Sequence, residues 1–344
     1  MYKTLIRPIL FRFTPETIHH WVVKGLRLLF MIPGKAWFVR KLTAVEDPVL
    51  EREVFGLRFK NPVGIAAGFD KQAEMYNQLA NLGFGFIEVG TITPKGQLGN
   101  PQPRLFRLPK DKALINRMGF NNSGVDAAIR NLKNRKTNII IGGNIGKNTA
   151  TPNEKAVDDY IYVFEKLFDY VDYFVVNVSC PNITDLHELQ DQESLTMILN
   201  EIQKINFRKP KPKPVLLKVS PDLNEKQLDE VIEIVAETKI DGVVATNTTV
   251  SRNGLTTDKH RIDEIANGGL SGQPIKNRST EVIRYLAEKS GKAFPIIGVG
   301  GIFTPEDAIE KLKAGAALVQ VYTGFIYEGP MIARRINEAL MIDG

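Results

Sequence analysis

Most of the chain's β-branched and apolar residues fall in eight short runs that alternate with segments of helical periodicity. Continuous apolar runs are typical of parallel strands that are covered on both faces. Eight of them, alternating with helices over about 280 residues, predict an α/β fold, the (β/α)8 or TIM barrel. An open doubly wound sheet is the alternative, but no GxGxxG motif follows the first run. The runs are NPVGIAAG from Asn61, FGFIEVGT from Phe84, NIIIGGNIG from Asn138, YFVVNVSC from Tyr173, PVLLKVSP from Pro214, GVVATNTT from Gly242, PIIGVGG from Pro295 and ALVQVYTG from Ala317.

Polar side chains stand where these runs end. The active site of a (β/α)8 barrel lies at the C-terminal ends of its strands, so we expect these side chains to meet there. They are Asp70 with Lys71, Thr91 with Thr93, Asn144 with Lys147, the stretch 177–182, Lys218 with Ser220, the stretch 246–248, and Tyr322 with Thr323.

Lys218 is unusual because it lies inside an apolar run, VLLKVS. A charge that faces the barrel interior is costly unless an anion or a strong acceptor meets it. The alternative is an outward-facing lysine, which conflicts with the helices that cover the outer face of a barrel strand. We therefore predict that Lys218 serves a ligand.

Two glycine-rich stretches favour a bound phosphate group. GGLSG (268–272) and GVGG (298–301) let backbone N–H groups approach a ligand closely, and the second precedes a predicted helix N-terminus. The loops after strands seven and eight are the usual phosphate site of this fold. Together with Tyr322 and Thr323 after the eighth run, the glycines predict a phosphorylated cofactor.

The net charge of +6 comes from the beginning of the chain. Residues 1–41 carry eight Lys and Arg against Glu16 alone, a net charge of +7, and the remainder carries 37 basic against 38 acidic residues, or −1. This distribution argues against a nucleic-acid surface on the main body. One cysteine excludes an intramolecular disulfide, and four histidines without Cys/His spacing carry no metal-site signature.

Residues 1–44 are predicted to form two amphipathic helices ahead of a barrel domain at 45–344. Thr14-Pro15-Glu16 is typical of a helix start, with a Thr N-cap and Pro at the first position. Neither helix reaches the roughly 20 uncharged apolar residues needed to span a bilayer. Their basic polar faces suit a membrane interface, but an ordinary helical hairpin packed on the main domain explains the pattern equally well.

A set of motifs resembles, in order and spacing, the dihydroorotate dehydrogenases, which are FMN enzymes of pyrimidine synthesis. The resemblance covers about residues 45 to 335. The helical extension and NRMGFNN look like class 2 members, which reduce a membrane quinone. The resemblance therefore implies that the protein oxidises (S)-dihydroorotate to orotate. It also implies peripheral membrane association through residues 1–41 at the cytoplasmic face of a cell membrane. The motifs are NPVGIAAGFDK, INRMGFNN, NIGKN, NVSCPN, LLKVSPDL, ATNTT, GGLSGQP, IIGVGGI and LVQVYTGFIYEGP.

The resemblance also implies residue roles. Positions matching FMN contacts are Ala67, Gly68, Phe69, Asp70, Lys71, Thr91, Asn144, Asn177, Lys218, Thr246, Gly272, Gly301, Tyr322 and Thr323. Positions matching orotate contacts are Lys71, Asn116, Arg117, Met118, Gly119, Phe120, Asn177, Asn182, Asn247 and Thr248. His19 and Arg107 match positions that line the quinone tunnel of class 2 enzymes; a helix-packing histidine and a surface arginine are the alternatives.

Cys180 departs from the class 2 pattern. Class 2 enzymes usually carry Ser at the base position, in S-S-P-N, whereas this chain reads S-C-P-N, as class 1 enzymes do. By the resemblance, Cys180 removes the C5 proton of dihydroorotate while hydride leaves C6 for the flavin. A thiol with a pKa of about 8.5 is partly ionised near neutrality and is a better intrinsic base than a hydroxyl.

Two other functions compete with this hypothesis. The first is a soluble class 1 type enzyme that uses fumarate or NAD, which Cys180 favours and which the helical extension, Arg107 and NRMGFNN oppose. The second is a catalytically silent, membrane-bound flavin-binding module. That module would keep the phosphate site and lose the orotate site. The four asparagines that would bind orotate are nevertheless all present: Asn116, Asn177, Asn182 and Asn247.

The assignment of Cys180 as the base predicts a specific loss. Cys180→Ala should nearly abolish flavin reduction by dihydroorotate and leave FMN bound, because only the proton acceptor is removed. Cys180→Ser should retain activity but need a higher pH, since a hydroxyl ionises less readily than a thiol. Stopped-flow flavin absorbance across a pH series measures both, and an undiminished rate in Cys180→Ala would sink the assignment.

Overall fold

The structure is a computed structural model that describes residues 2–179 and 192–343. The eight predicted runs form a closed parallel barrel, in which each strand pairs with its neighbours in chain order. This confirms the (β/α)8 prediction. The barrel strands are Val63–Asp70, Phe86–Ile92, Ile140–Ile145, Tyr173–Asn177, Val215–Val219, Gly242–Ala245, Ile296–Val299 and Leu318–Val321.

The strand register brings the polar strand ends to one level. Asn177 at the end of the fourth strand lies directly opposite Lys218 in the fifth. Lys218 in turn pairs with Val244 in the sixth. Because parallel strands point the same way, residues from separate parts of the chain gather at one rim of the barrel.

Helices cover the outside of the barrel, and several begin at the caps that the sequence favours. Thr304 accepts a hydrogen bond from the Asp307 N–H and the Asp307 carboxylate accepts one from the Thr304 N–H, which is a capping box. This helix start follows the GVGG stretch, as the sequence predicted. The helices after residue 45 are Tyr76–Leu79, Val125–Leu132, Ala156–Leu167, Gln192–Asn206, Glu225–Thr238, Lys259–Ile265, Lys276–Lys289, Pro305–Lys313, Thr323–Glu328 and Ile332–Asp343.

Short strands that the sequence did not reveal close both ends of the barrel. The hairpin Arg52–Val54 and Leu57–Phe59 packs Phe59 against Phe86 inside the barrel, with ring centroids 5.3 Å apart. At the opposite rim, Ala113–Asn116 pairs antiparallel with both Leu105–Leu108 and Gly269–Gly272. Lys95–Gln97 pairs with Asn122–Gly124. The strands at this rim bring Asn116 and the GGLSG glycines to the same place as the barrel strand ends.

The N-terminal segment contains one more helix than predicted. A π-helical turn Tyr2–Ile6 leads into Arg7–Leu10, and Pro15–Leu29 begins at the predicted Thr14 cap. Lys35–Thr43 is the additional helix. Pro33-Gly34, directly ahead of it, can precede a loop as well as a helix; in the structure Gly34, at φ +80°, is the N-cap of this helix. In the part of the chain that is described, no helix is both long and apolar enough to cross a membrane.

The segment is attached to the barrel and also exposes many apolar side chains. Lys3 forms an ion pair of 2.9 Å with Glu328, and the Tyr2 hydroxyl donates to the Ile326 carbonyl at 2.7 Å. These contacts with the main domain leave much of the segment's apolar surface exposed. Leu5, Ile9, Trp21, Leu28, Met31, Ile32, Trp37 and Phe38 are each at least half exposed.

Candidate active site

A cavity opens at the C-terminal rim of the barrel, where the polar strand ends were expected to meet. Most residues predicted to contact a ligand line it: Ala67, Gly68, Lys71, Thr91, Asn116, Met118, Gly119, Phe120, Asn177, Lys218, Thr246, Asn247, Thr248, Gly272, Gly301, Tyr322 and Thr323. The structure thus gathers them around one space, although contact with a ligand stays a prediction.

Four predicted residues lie outside the cavity wall. The Asp70 carboxylate accepts hydrogen bonds from the backbone N–H groups of Glu74 and Met75, at 2.7 and 3.0 Å. Burial raises the pKa of Asp70 to about 6. The Arg117 guanidinium donates to the Pro103 carbonyl at 3.1 Å and lies over the Phe106 ring. Phe69 and Asn144, the other two, each contact residues that do line the cavity.

Cys180 and Asn182 lie outside the described residues. The chain is described up to Ser179, which is held by one residue of the fifth strand and one residue just after the sixth. The Ser179 hydroxyl donates to the Lys218 carbonyl at 2.8 Å, and the Asn247 amide donates to the Ser179 carbonyl at 2.9 Å. These bonds fix the position and direction of the chain where the fourth strand ends.

A directed hydrogen-bond chain runs from the barrel interior to the cavity. Glu88 is fully buried, and its carboxylate accepts from the amides of Asn144 and Gln320, at 2.8 and 2.7 Å. Asn144 must then present its oxygen the other way, where it accepts from the Thr91 hydroxyl at 2.6 Å. Thr91 accepts in turn from the Asn177 amide at 3.0 Å. The acceptor oxygen of Asn177 is therefore left on the side of Asn247 and the cavity.

Sequence reasoning missed Glu88, Gln320 and Asn121. Gln320 and Asn121 line the cavity, while Glu88 orients groups that do. Glu88 and Gln320 carried a usable signal, because each is a polar residue inside an apolar run, as Lys218 is. Asn121 belongs to NRMGFNN, but its role depends on Lys71, which is distant in the chain.

Two ammonium groups give the cavity its charge. Lys71 donates to the Asn121 carbonyl oxygen at 2.9 Å. Burial lowers the pKa of Lys71 to about 8, with Glu16 acting against this shift and Arg104 adding to it. Lys218 is only 6% exposed, and no described residue accepts a hydrogen bond from its ammonium group. A buried cation of this kind is suited to an anionic or electron-rich ligand.

Glycines bring the backbone close to the cavity at the predicted phosphate end. Gly272 and Gly301 have φ values of +105° and +70°, which side-chain-bearing residues rarely adopt. A Cβ atom on Gly301 would lie 2.4 Å from the Lys276 Cβ. The Ser271 and Thr323 hydroxyls lie 2.8 Å apart at the same end. This corner, with its glycine backbone and two hydroxyl groups, fits a phosphate, and the neighbouring amides and Lys218 fit a planar ring.

His19 lies in the N-terminal segment and contacts a residue next to the cavity wall, and Arg107 contacts the same segment. The His19 ring packs edge-on to Phe69, at a centroid distance of 5.5 Å, and Phe69 contacts Tyr322 in the cavity wall at 5.8 Å. Burial, together with the nearby Lys71 charge, lowers the pKa of His19 to about 4. The Arg107 guanidinium donates to the Phe13 carbonyl at 2.6 Å. A line of ring contacts therefore joins the first long helix to the cavity.

The family model described as dihydroorotate dehydrogenase matches residues 49–342. The chain belongs to the dihydroorotate dehydrogenase family. It is 62% identical to a Christiangramia forsetii protein named dihydroorotate dehydrogenase (quinone), and both chains are covered completely. A protein of the same name from Gloeobacter violaceus is 49% identical, with 98% of this chain and 93% of that protein covered.

The fold is also similar to that of solved DHODH structures. A crystal structure of DHODH from Eimeria tenella in complex with ferulenol has a TM-score of 0.84 at 36% identity. The match covers 96% of this chain and 91% of that one. The resemblance to class 2 members of the dihydroorotate dehydrogenase family is thereby confirmed. Members of this family are flavin-dependent, which agrees with a cavity that suits a planar ring and a phosphate.

The glycine corner predicts the effect of adding one methyl group. Gly301→Ala should purify with much less flavin than wild type, because its Cβ meets Lys276 and its φ is unfavourable. The matched control is Gly254→Ala, which has φ +75° but nothing within 4 Å of the added Cβ. Flavin absorbance per mole of protein measures the difference. Equal flavin content in both variants would show that the corner does not hold the cofactor.

Proposed function

We propose that this protein oxidises (S)-dihydroorotate to orotate, with tightly bound FMN as its cofactor and a membrane quinone as the electron acceptor. Family membership and the names of its relatives support the reaction. The observation that carries the proposal in this chain is that Lys71 and several amides line the same cavity as the glycine corner.

The residues at the Lys71 end match the chemistry of the substrate. Dihydroorotate has a carboxylate, two ring N–H groups and two carbonyl oxygens. Lys71 would bind the carboxylate, since it is the cation at this end of the cavity. Asn116, Asn177 and Asn247 would pair with the ring, and the acceptor oxygen of Asn177 is suited to a ring N–H. Such a set orients the ring as well as binding it.

The residues at the other end would hold FMN. Bound FMN supplies the hydride acceptor. Gly272, Gly301 and Thr323 would bind its phosphate through backbone N–H and hydroxyl groups. Lys218 would lie by the ring system, where a positive charge favours the electron-rich form. Burial at 6% exposure keeps this charge from being screened by water.

The proton at C5 would go to Cys180. The proposal rests on the S-C-P-N motif and on the residue before it, because Ser179 is held by Lys218 and Asn247. Those two contacts fix the chain immediately ahead of the base. A base must lie within hydrogen-bond reach of the proton that it removes, so a fixed approach of the chain favours the reaction.

Residues 1–44 would serve as the membrane-contact and quinone-access segment of a barrel domain at 45–344. The exposed apolar side chains and the net charge of +7 over residues 1–41 suit the surface of an anionic membrane. The ring contacts from His19 through Phe69 to Tyr322 connect this segment to the cavity wall, along which an apolar quinone would approach. We place the protein peripherally at the cytoplasmic face of a cell membrane.

The proposed reaction is tested in two steps on the purified holoenzyme. Anaerobic dihydroorotate should bleach the flavin colour, which a silent flavin-binding module would not allow. Reoxidation should then be much faster with ubiquinone or menaquinone analogues than with fumarate or NAD, as followed by flavin absorbance. Faster reoxidation by fumarate or NAD would instead support the class 1 type enzyme.

The membrane assignment predicts that tryptophans of the segment carry binding energy. Trp37→Ser should bind vesicles of mixed neutral and anionic lipid roughly tenfold more weakly than wild type, because the ring no longer enters the interface. The control is Phe207→Ser, which removes an aromatic ring of similar exposure, 57% against 66%, outside this segment. Co-sedimentation measures binding. Equal losses in the two variants would contradict a specific role for residues 1–44.

A further inference from the structure

One ion pair joins the N-terminal segment to a loop beside the active site. Glu16, in the first turn of the helix Pro15–Leu29, accepts from Arg104 Nη2 at 2.6 Å. The Nε atom of Arg104 also lies 3.1 and 3.2 Å from the two Glu16 carboxylate oxygens. The two side chains are only 14% and 10% exposed, respectively. Burial alone would raise the pKa of Glu16, but the hydrogen bonds and charge of Arg104 lower it.

The other side of Arg104 organises the loop. Its Nη1 atom donates to the carbonyls of Leu98 and Asn100, and its own carbonyl accepts from the Arg117 N–H at 2.8 Å. The Asn100 N–H donates to the Met118 carbonyl at 3.1 Å. Arg104 therefore links the stretch 98–104 to the stretch 117–121. Met118, Gly119, Phe120 and Asn121 of the second stretch line the cavity.

The second stretch ends at Asn121, whose side-chain oxygen accepts a hydrogen bond from Lys71. Lys71 is the residue proposed above to bind the substrate carboxylate. The charged and titratable groups that face Lys71 are Glu16 and His19 from the N-terminal helix and Arg104 from the loop. Lys218 lines the same cavity. Of these groups Glu16 raises the pKa of Lys71 and Arg104 lowers it, so the pair acts on the lysine by charge as well as by position.

We propose that the Glu16–Arg104 ion pair is a positioning element of the substrate site, through which the N-terminal helix sets the placement of Asn121 and the charge of Lys71. This inference rests on the proposed function, since it assigns Lys71 to the dihydroorotate carboxylate. It gives residues 1–44 a role in substrate binding, in addition to the proposed role in quinone access. The helix that carries His19 toward the quinone side also supports, one turn earlier, the site where the carboxylate binds.

Attachment of the segment does not explain this pair. The segment is also tied to the barrel by the Lys3–Glu328 ion pair at 2.9 Å and by the Arg7 contact with the Tyr327 carbonyl. A buried ion pair often stabilises a protein no better than apolar residues of the same volume. The Glu16–Arg104 pair differs because its arginine is hydrogen-bonded into the loop that carries cavity residues.

The test measures orotate binding to the FMN-loaded holoenzyme, by the change in flavin absorbance, between about pH 6 and pH 10. Lys71 must be protonated to bind a carboxylate, so affinity should be lost as the pH rises through its pKa of about 8. Glu16→Gln should move this alkaline limit to lower pH, and Arg104→Gln should move it to higher pH, each by roughly one unit. A purely structural role would not move the two limits in opposite directions.

The variant Arg104→Lys distinguishes the effect of the hydrogen bonds of Arg104 from the effect of its positive charge. It keeps the positive charge but loses the fork that bridges Glu16 and the loop carbonyls. It should therefore keep the wild-type alkaline limit and bind orotate roughly tenfold more weakly, the fold-change expected from one lost charge-assisted hydrogen bond. This variant also carries the test if either glutamine variant fails to retain FMN. Lys3→Gln is the matched control, because it breaks the other ion pair of the segment and should leave orotate binding unchanged.

The outcomes separate the two proposals. If dihydroorotate does not bleach the wild-type flavin, the proposed function fails and this inference fails with it. If the wild type is bleached and binds orotate, the function stands. In that case, unmoved alkaline limits in both glutamine variants, or wild-type affinity in Arg104→Lys, would overturn the role of the pair alone.

Discussion

The fully buried carboxylate of Glu88 is the constraint from which the polarity of the site follows. A carboxylate can only accept, so both amides that meet it, Asn144 and Gln320, must turn their N–H groups inward. The next acceptor then has to be the Asn144 oxygen, and the order continues through Thr91 to Asn177. Reversing Asn144 or Gln320 would place an amide oxygen against the buried carboxylate, so that two acceptors would face each other without a hydrogen bond. The cavity therefore meets a ligand with its hydrogen-bonding groups already oriented.

The N-terminal segment contacts the cavity surroundings at two places. The helix Pro15–Leu29 contacts the loop beside the substrate end through Glu16 and the cavity wall through His19 and Phe69. The same helix is thus in contact with the proposed substrate end and with the wall of the cavity on the proposed quinone side. Its remaining face carries exposed apolar side chains, which suit contact with a membrane surface.

The sequence predicted the barrel well because the signal is local. Each strand is a short apolar run, and each capped helix has its own start, as at Thr304. Lys218 was predicted to serve a ligand because a charge inside such a run is anomalous without one. The helix Lys35–Thr43 was missed because Pro33-Gly34 marks a break equally well before a loop or a helix. The antiparallel strands at the rim were missed because they are only three or four residues long, and the pairing of Ala113–Asn116 with Gly269–Gly272 also spans more than 150 residues.

What the sequence determined by itself was the order of strands, the residue types at their ends and, through its motifs, the resemblance to one family. Tertiary structure alone decided which of those residues share a wall. It placed Asp70 and Arg117 on backbone partners outside the cavity, and it brought Asn121 to Lys71. The physical reason is that a hydrogen bond depends on distance and direction, and closure of the barrel sets both between residues that are far apart in the chain.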